Sequence, residues 1–299
     1  MGRYVGQPVH GLLLVDKEAG FSSNAVVQRA KRLMKALKVG HTGSLDPIAT
    51  GVLPLCFGEA TKLSGFLLDT DKRYQVRVRL GTVTTTADIE GEVVETQPVP
   101  ALNQAVIEAH LAPFRGAQLQ IPPMYSALKH EGRRLYDLAR QGKDVERRPR
   151  AITIHELNLL QFGADWLDLD VHCSKGTYIR SLAVDLGTAL GCGGHVEILR
   201  RTAVGRFTID RSITLTELER QPEEERAGLL LPMDVLVDGL PSVNVSADQA
   251  IRFLHGQKLS AESAAESGTI RIYGPDGQFL GLAEADEAGG IQPKRVLNQ

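Results

Sequence analysis

The chain has 299 residues, 42% hydrophobic and 23% charged, values that suit a packed soluble protein and exclude a disordered one. No uncharged apolar run approaches the roughly 20 residues needed to cross a bilayer, which excludes a helical membrane protein. Three cysteines without a C-x-x-C pair argue against a disulfide scaffold or zinc ribbon and for a reducing cytosol, and the net charge of −2 rules out a uniformly basic coat.

The apolar run Leu12–Val15 is too short for a signal-peptide core, so no export is expected. Val9–Val15 reads as a buried strand. Asn24–Lys38 reads as an amphipathic helix: Val26, Val27, Ala30, Leu33, Met34 and Leu37 follow helical spacing, with Ser22 and Ser23 as N-caps. Its other face carries Arg29, Lys31, Arg32, Lys35 and Lys38 without an acid. Residues 73–80 alternate strictly, with Tyr74, Val76, Val78 and Leu80 on one face and Arg73, Gln75, Arg77 and Arg79 on the other, as a strand does. Asn103–Leu111 and Arg133–Arg140 fit helices, separated by the turn-rich Ile121-Pro122-Pro123. Ile152–Phe162 and Leu167–Cys173 fit strands, and Thr177–Leu190 a helix ending at Gly191. Without a regular βαβ beat, this mixture predicts an α+β fold with a mixed, largely antiparallel sheet flanked by helices. The acidic stretch 216–241 reads as a linker, dividing a domain over 1–215 from a small β-rich one over 242–299 with its Gly274-Pro275-Asp276-Gly277 turn.

Charge is unevenly placed. Residues 129–150 hold eight basic side chains (Lys129, Arg133, Arg134, Arg140, Lys143, Arg147, Arg148 and Arg150) against four acids, whereas 213–238 hold seven acids and two arginines. Either basic cluster alone reads as a solvated face. Two of them beside a separate acidic segment shift the balance towards a polyanionic partner such as nucleic acid.

The segment Val39–Gly58 is the most unusual. Asp46 is its only formal charge, among four glycines and two prolines that direct the backbone. A carboxylate in such company is exposed in a turn or is met by a cation from elsewhere; taken alone, the Asp-Pro pair favours the turn. A second constellation, Cys173–Arg180, gathers Lys175, Tyr178 and Arg180 where a strand passes through a glycine into a helix. Such an arginine either packs as a helix cap or holds a carboxylate in a bidentate pair, lowering its pKa by about 1–3 units. No phosphate-binding G-x-x-x-x-G-K-[ST], no G-x-S-x-G and no H-E-x-x-H occurs, which removes P-loop, α/β-hydrolase and zincin chemistry. Asp168, Asp170 and His172 share one strand face and could hold a metal for a nuclease, although a half-exposed strand has the same pattern.

Gly40–Leu55 (GHTGSLDPIATGVLPL) resembles the catalytic motif of the TruB family of pseudouridine synthases, whose bacterial members modify the T-loop uridine at position 55 of transfer RNA. Three further stretches are similar to that family in the same order: Gly11–Asn24 (GLLLVDKEAGFSSN), Pro122–Gly142 (PPMYSALKHEGRRLYDLARQG) and Cys173–Phe207. The likeness runs over about 9–210 and departs at Glu18, where the family commonly has proline. From about 243 the chain resembles, more faintly, a small PUA-type RNA-binding domain. The resemblance implies that Asp46 is catalytic and Arg180 its ion-pair partner. It implies that Tyr74 stacks on the target base, that Tyr178 and Leu199 line the pocket, and that His41 helps fill the space the base vacates. It further implies an RNA-gripping insertion over about 122–150, with Lys17, Lys129, Arg133, Arg134, Arg147, Arg148 and Arg150 on the RNA backbone. The expected partner is the tRNA T-stem-loop, bound by a cytoplasmic monomer with no cofactor, no metal and no obligate protein partner. A non-catalytic RNA-binding or tRNA-folding module on the same scaffold is the rival reading.

Overall fold

A computed structural model describes residues 6–126, 128–260 and 267–298. Nine strands form the main sheet: β1 (Gly11–Lys17), β2 (Val39–His41), β3 (Thr50–Phe57), β4 (Lys72–Leu80), β5 (Gly116–Gln120), β6 (Arg150–Phe162), β7 (Trp166–Cys173), β8 (Gly194–Val204) and β9 (Phe207–Thr208). The path runs β1-β3-β8-β4-β7-β6-β5, with β2 added to β3 and β9 to β8. The β3–β8 pair is parallel and the other pairings are antiparallel, so the sheet is mixed and largely antiparallel.

The helices are α1 (Ser23–Leu33), α2 (Ser64–Leu68), α3 (Gln104–Leu111), α4 (Leu135–Ala139), α5 (Ile179–Ala189), α6 (Leu215–Arg220) and α7 (Ala247–Leu254). One sheet face, with Val76, Val78 and Leu80 of β4 and Leu167, Leu169 and Val171 of β7, buries its side chains against α1, α3, α5 and α6. Across β4, β7 and β8 the opposite face is ionic. Arg73 chelates Asp170, Arg77 pairs with Asp168 at 2.7 Å, Arg79 with Asp165 and Glu197, and Arg200 with Asp16. The Asp168–Asp170 row weighed as a metal ligand set is thus occupied by arginines of the neighbouring strand.

Helix α1 ends sooner than its apolar spacing predicts. Lys35 sits at φ 48, which breaks the helix, and the chain turns away to pair Gln7 with Lys35 and Leu37. β8 was not read from sequence at all, although it lies between β3 and β4. Register shifts at Val196/Ile198 and Arg201/Ala203 destroy the period of two that reveals a strand.

The stretch read as a linker is a packed strap. Thr214 and Glu217 form a capping box that starts α6, Leu218, Met233 and Leu236 are buried, and Leu231 exchanges backbone hydrogen bonds with Leu12 of β1. Its acids meet the basic helix: Glu219 pairs with Arg29 at 2.6 Å and Glu223 with Lys35 at 2.5 Å, while Arg226 donates to the Leu33 carbonyl. Part of the positive charge read on α1 is therefore spent inside the molecule.

The C-terminal sheet, β10 (Ser242–Asn244), β11 (Leu259–Ser260), β12 (Gly268–Tyr273), β13 (Phe279–Ala285) and β14 (Gly290–Val296), runs β10-β12-β13-β14-β11 and packs on α7. It shares an apolar cluster with the main body: Phe279, Leu282 and Leu297 pack with Leu12, Leu14 and Cys56. Among the described residues no helix is long and apolar enough to cross a membrane.

Candidate active site

The loop between β2 and β3 carries Asp46, and three buried donors shape it. Ser23 Oγ donates to the Leu45 carbonyl (3.0 Å) and accepts from the Leu45 amide (2.8 Å). Lys17 Nζ donates to the carbonyls of Pro47 (3.1 Å), Ala49 (2.5 Å) and Glu18 (3.2 Å). Arg201 donates to the carbonyls of Val52 (2.8 Å), Gly43 (3.1 Å) and Ser44 (3.5 Å). Gly51, at φ 105, lets β3 approach β8: a Cβ there would lie 2.1 Å from the Arg201 carbonyl oxygen. Lys17 is only 1% exposed, so its assignment to the RNA backbone is corrected: a buried ammonium spent on three main-chain carbonyls cannot reach a phosphate. Burial lowers its pKa to about 8, although Asp46 and Glu90 pull the other way.

Arg180, in the first turn of α5, points into this loop. Its Nε lies 2.9 Å from Asp46 Oδ2, Nη2 donates to the Tyr125 carbonyl (2.6 Å) and Nη1 to the Thr86 carbonyl (3.1 Å). Asp88 stands 3.7 Å from Nη1, itself fixed by the Thr86 hydroxyl and the Glu90 amide. The guanidinium is 5% exposed, whereas the Asp46 carboxylate opens to solvent at 39%. The expected lowering of the Asp46 pKa does not result. Desolvation raises it, and Asp88 adds to that, outweighing Arg180 and Lys17.

Asp46 opens onto a cleft of about 790 Å³. His41, Tyr74, Tyr178, Arg180 and Leu199 all line it with Asp46, so the structure brings the six pocket residues read from sequence to one place. Gln120 holds the Tyr178 backbone through both its side-chain oxygen and nitrogen (2.8 and 3.0 Å). Burial and the nearby Arg201 lower the His41 pKa, and its Nδ1 accepts from the Gly43 amide. Tyr136 and Arg140 of the basic insertion close one side. Of the other RNA-backbone candidates, Arg148 and Arg150 are exposed, Arg133 donates to Gln141, and Arg147 donates to the Pro122 carbonyl. The side chains of Lys129 and Arg134 lie outside the described residues.

Residues 31–179 match the model of the TruB family pseudouridylate synthase N-terminal domain. Residues 180–238 match the tRNA pseudouridylate synthase B C-terminal domain, and 241–297 the pseudouridine synthase II TruB C-terminal domain. The chain belongs to the TruB family. It is 52% identical to the tRNA pseudouridine synthase B of Chromohalobacter salexigens, over 98% of this chain and 96% of that one. With the protein of the same name from Nitrosococcus oceani it shares 51% identity over 99% and 97%. Among solved structures, an H/ACA RNP bound to a substrate RNA containing 2'-deoxyuridine superposes with a TM-score of 0.72 at 23% identity, over 97% of this chain and 86% of that one. A Cbf5-Nop10-Gar1 complex gives 0.72 at 25%, over 96% and 84%. These two share the TruB-family fold.

Sequence reasoning missed Asp88, Thr86 and Tyr125, which share Arg180 with Asp46, and the two cations Lys72 and Arg201. For the cations a signal existed. Lys72 has the parity of Tyr74 and Val76, which puts a lysine on the buried face of β4. Arg200 and Arg201 are adjacent on a strand, so one of them faces inward.

Proposed function

We propose that this TruB-family enzyme isomerises the uridine at position 55 of the tRNA T-loop to pseudouridine, with Asp46 as the reacting group. The observation that carries the reading is a carboxylate, ion-paired to a buried guanidinium at 2.9 Å, opening onto a cleft walled by Tyr74, Tyr178 and Leu199. The reaction breaks N1–C1′ and forms C5–C1′, so the nucleotide leaves the stack, at a cost of a few kcal/mol. Stacking on an aromatic ring returns about 1–3 kcal/mol, a role that fits Tyr74. Asp46 then acts on the sugar or the ring as nucleophile or base, with Arg180 fixing its orientation. His41, lined up beside the loop, helps fill the space the base leaves. The isomerisation is redox-neutral and transfers no phosphate, so this reading needs no cofactor or metal. Arg133, Arg147, Arg148 and Arg150, with Lys129 and Arg134, supply salt-dependent phosphate contacts, and the C-terminal domain adds RNA surface. The enzyme acts as a cytoplasmic monomer without an obligate protein partner.

Incubating purified protein with T-stem-loop RNA should yield pseudouridine at that position alone. Asp46→Ala should bind the RNA and form none; near-normal turnover by that variant would remove the assignment.

A further inference from the structure

Two cations in the cleft wall have no ion-pair partner among the described residues, although Asp69 and Asp71 act on Lys72 from beyond ion-pair distance. Arg201 is 2% exposed, and its donors go to three main-chain carbonyls. Among the described residues no carboxylate lies within ion-pair distance of it; the group that meets it is the Tyr74 phenol. Lys72, 8% exposed, likewise donates to the carbonyls of Leu67, Leu68 and Thr70, with no ion-pair partner among the described residues. Both line the cleft with Tyr74, whose Cα pairs with that of Arg201 across β4 and β8. Burying an unmatched cation is costly. Carbonyl oxygens solvate these two without cancelling their charge.

We propose that Arg201, reinforced by Lys72, provides the positive potential that stabilises the uracil anion released during isomerisation. This rests on the pseudouridine synthase reading above. When N1–C1′ breaks, the bonding pair stays on the base, and the sugar carbon is met by an Asp46 oxygen or relieved by loss of a neighbouring proton. The base carries the negative charge until C5 bonds to C1′, the C5 proton leaves and N1 takes one up. A fixed charge in a low-dielectric wall acts on that anion far more strongly than water would.

The test compares uridine with 5-fluorouridine in the same T-stem-loop RNA, because fluorine makes the detached base a better anion by itself. Arg201→Gln keeps a donor for the loop carbonyls and removes the charge. Its single-turnover rate on uridine should fall about 100-fold, the scale of losing one preorganised electrostatic group. RNA affinity should be unchanged, consumption of 5-fluorouridine should fall much less, and Arg201→Lys should regain most of the rate. Both substrates are assayed on one preparation, so partial unfolding cancels from the ratio of rates. Lys72→Met should shift that ratio in the same direction, and it decides the matter if Arg201→Gln does not fold. An unchanged ratio in both variants, or an Arg201→Lys no better than Arg201→Gln, would leave the two residues as scaffold and overturn the proposal. Failure of the unaltered protein to make pseudouridine would instead remove the reading beneath it.

Discussion

The two faces of the main sheet use the same residue types in opposite ways. On the outer face, Arg73, Arg77, Arg79 and Arg200 each meet a carboxylate of another strand or a loop. On the cleft side, Lys17, Lys72 and Arg201 meet main-chain carbonyls. A pair of opposite charges neutralises itself and holds strands in register; a cation solvated by carbonyls holds a backbone path and keeps its field. The first arrangement builds a scaffold, and the second builds a site. Arg180 stands between them, held by two carbonyls and shared by two carboxylates.

The largest effect should come from Asp46→Asn, which keeps the size of the side chain and removes its charge. Turnover should fall by about 1,000-fold or more, on the scale of a lost base or nucleophile, while T-stem-loop affinity holds. Next comes the geometry around it. Arg180→Gln should cost about 100-fold through mispositioning and also move the acid limb of kcat/KM. The sign follows from the site: desolvation and Asp88 raise the Asp46 pKa, and Arg180 lowers it. With Asp46 acting in its ionised form, as proposed above, activity should be lost as pH falls through that raised pKa. Arg180→Gln should move the limb to higher pH and Asp88→Asn to lower pH. Limbs that move together, or not at all, would break the contrast between the shared guanidinium and its two acids.

What could be read from the sequence divides along the same line. β4 and β7 were legible because strict alternation separates Val76 and Val78 from Arg77 and Arg79. β8 was not, because its bulges place Ile198 outward and Leu199 inward with both apolar. Asp46 could be singled out locally, as the one charge in a glycine-rich segment. Its pKa could not: the acid that helps raise it, Asp88, is brought to Arg180 only by the fold. Lys17 was misread as an RNA contact for a related reason, since whether a strand-end lysine faces solvent or a carbonyl nest depends on the loop that folds over it.

Lys17 therefore offers a sharper test of the carbonyl-bound class. Lys17→Met leaves the Pro47 and Ala49 carbonyls without their donor, which should cost about 2 kcal/mol in urea unfolding and slow turnover by loosening the Asp46 loop. The dependence of RNA affinity on salt should stay as it was. Arg148→Ala, at an exposed position, should do the reverse: unaltered stability, and a salt slope shallower by roughly 0.7 if it loses one single-stranded phosphate contact. A reduced slope in Lys17→Met would return that lysine to the RNA surface.

The smallest effect belongs to the outer face. Arg77 and Asp168 form a two-point pair at 2.7 Å, with side chains 31% and 22% exposed, and the guanidinium lies 4.2 Å above the Trp166 ring. Partial exposure limits what the pair contributes, since water and salt screen both charges. A double-mutant cycle of Arg77→Gln and Asp168→Asn should give only a small coupling, shrinking as salt is added. Turnover should be unchanged in both single variants, because β4 turns Arg77 away from Tyr74 and the cleft. A loss of activity at constant stability would mean that charge on the outer face is felt at Asp46, and the division of the sheet into a self-neutralised scaffold face and an uncancelled cleft face would fail at its best-matched pair.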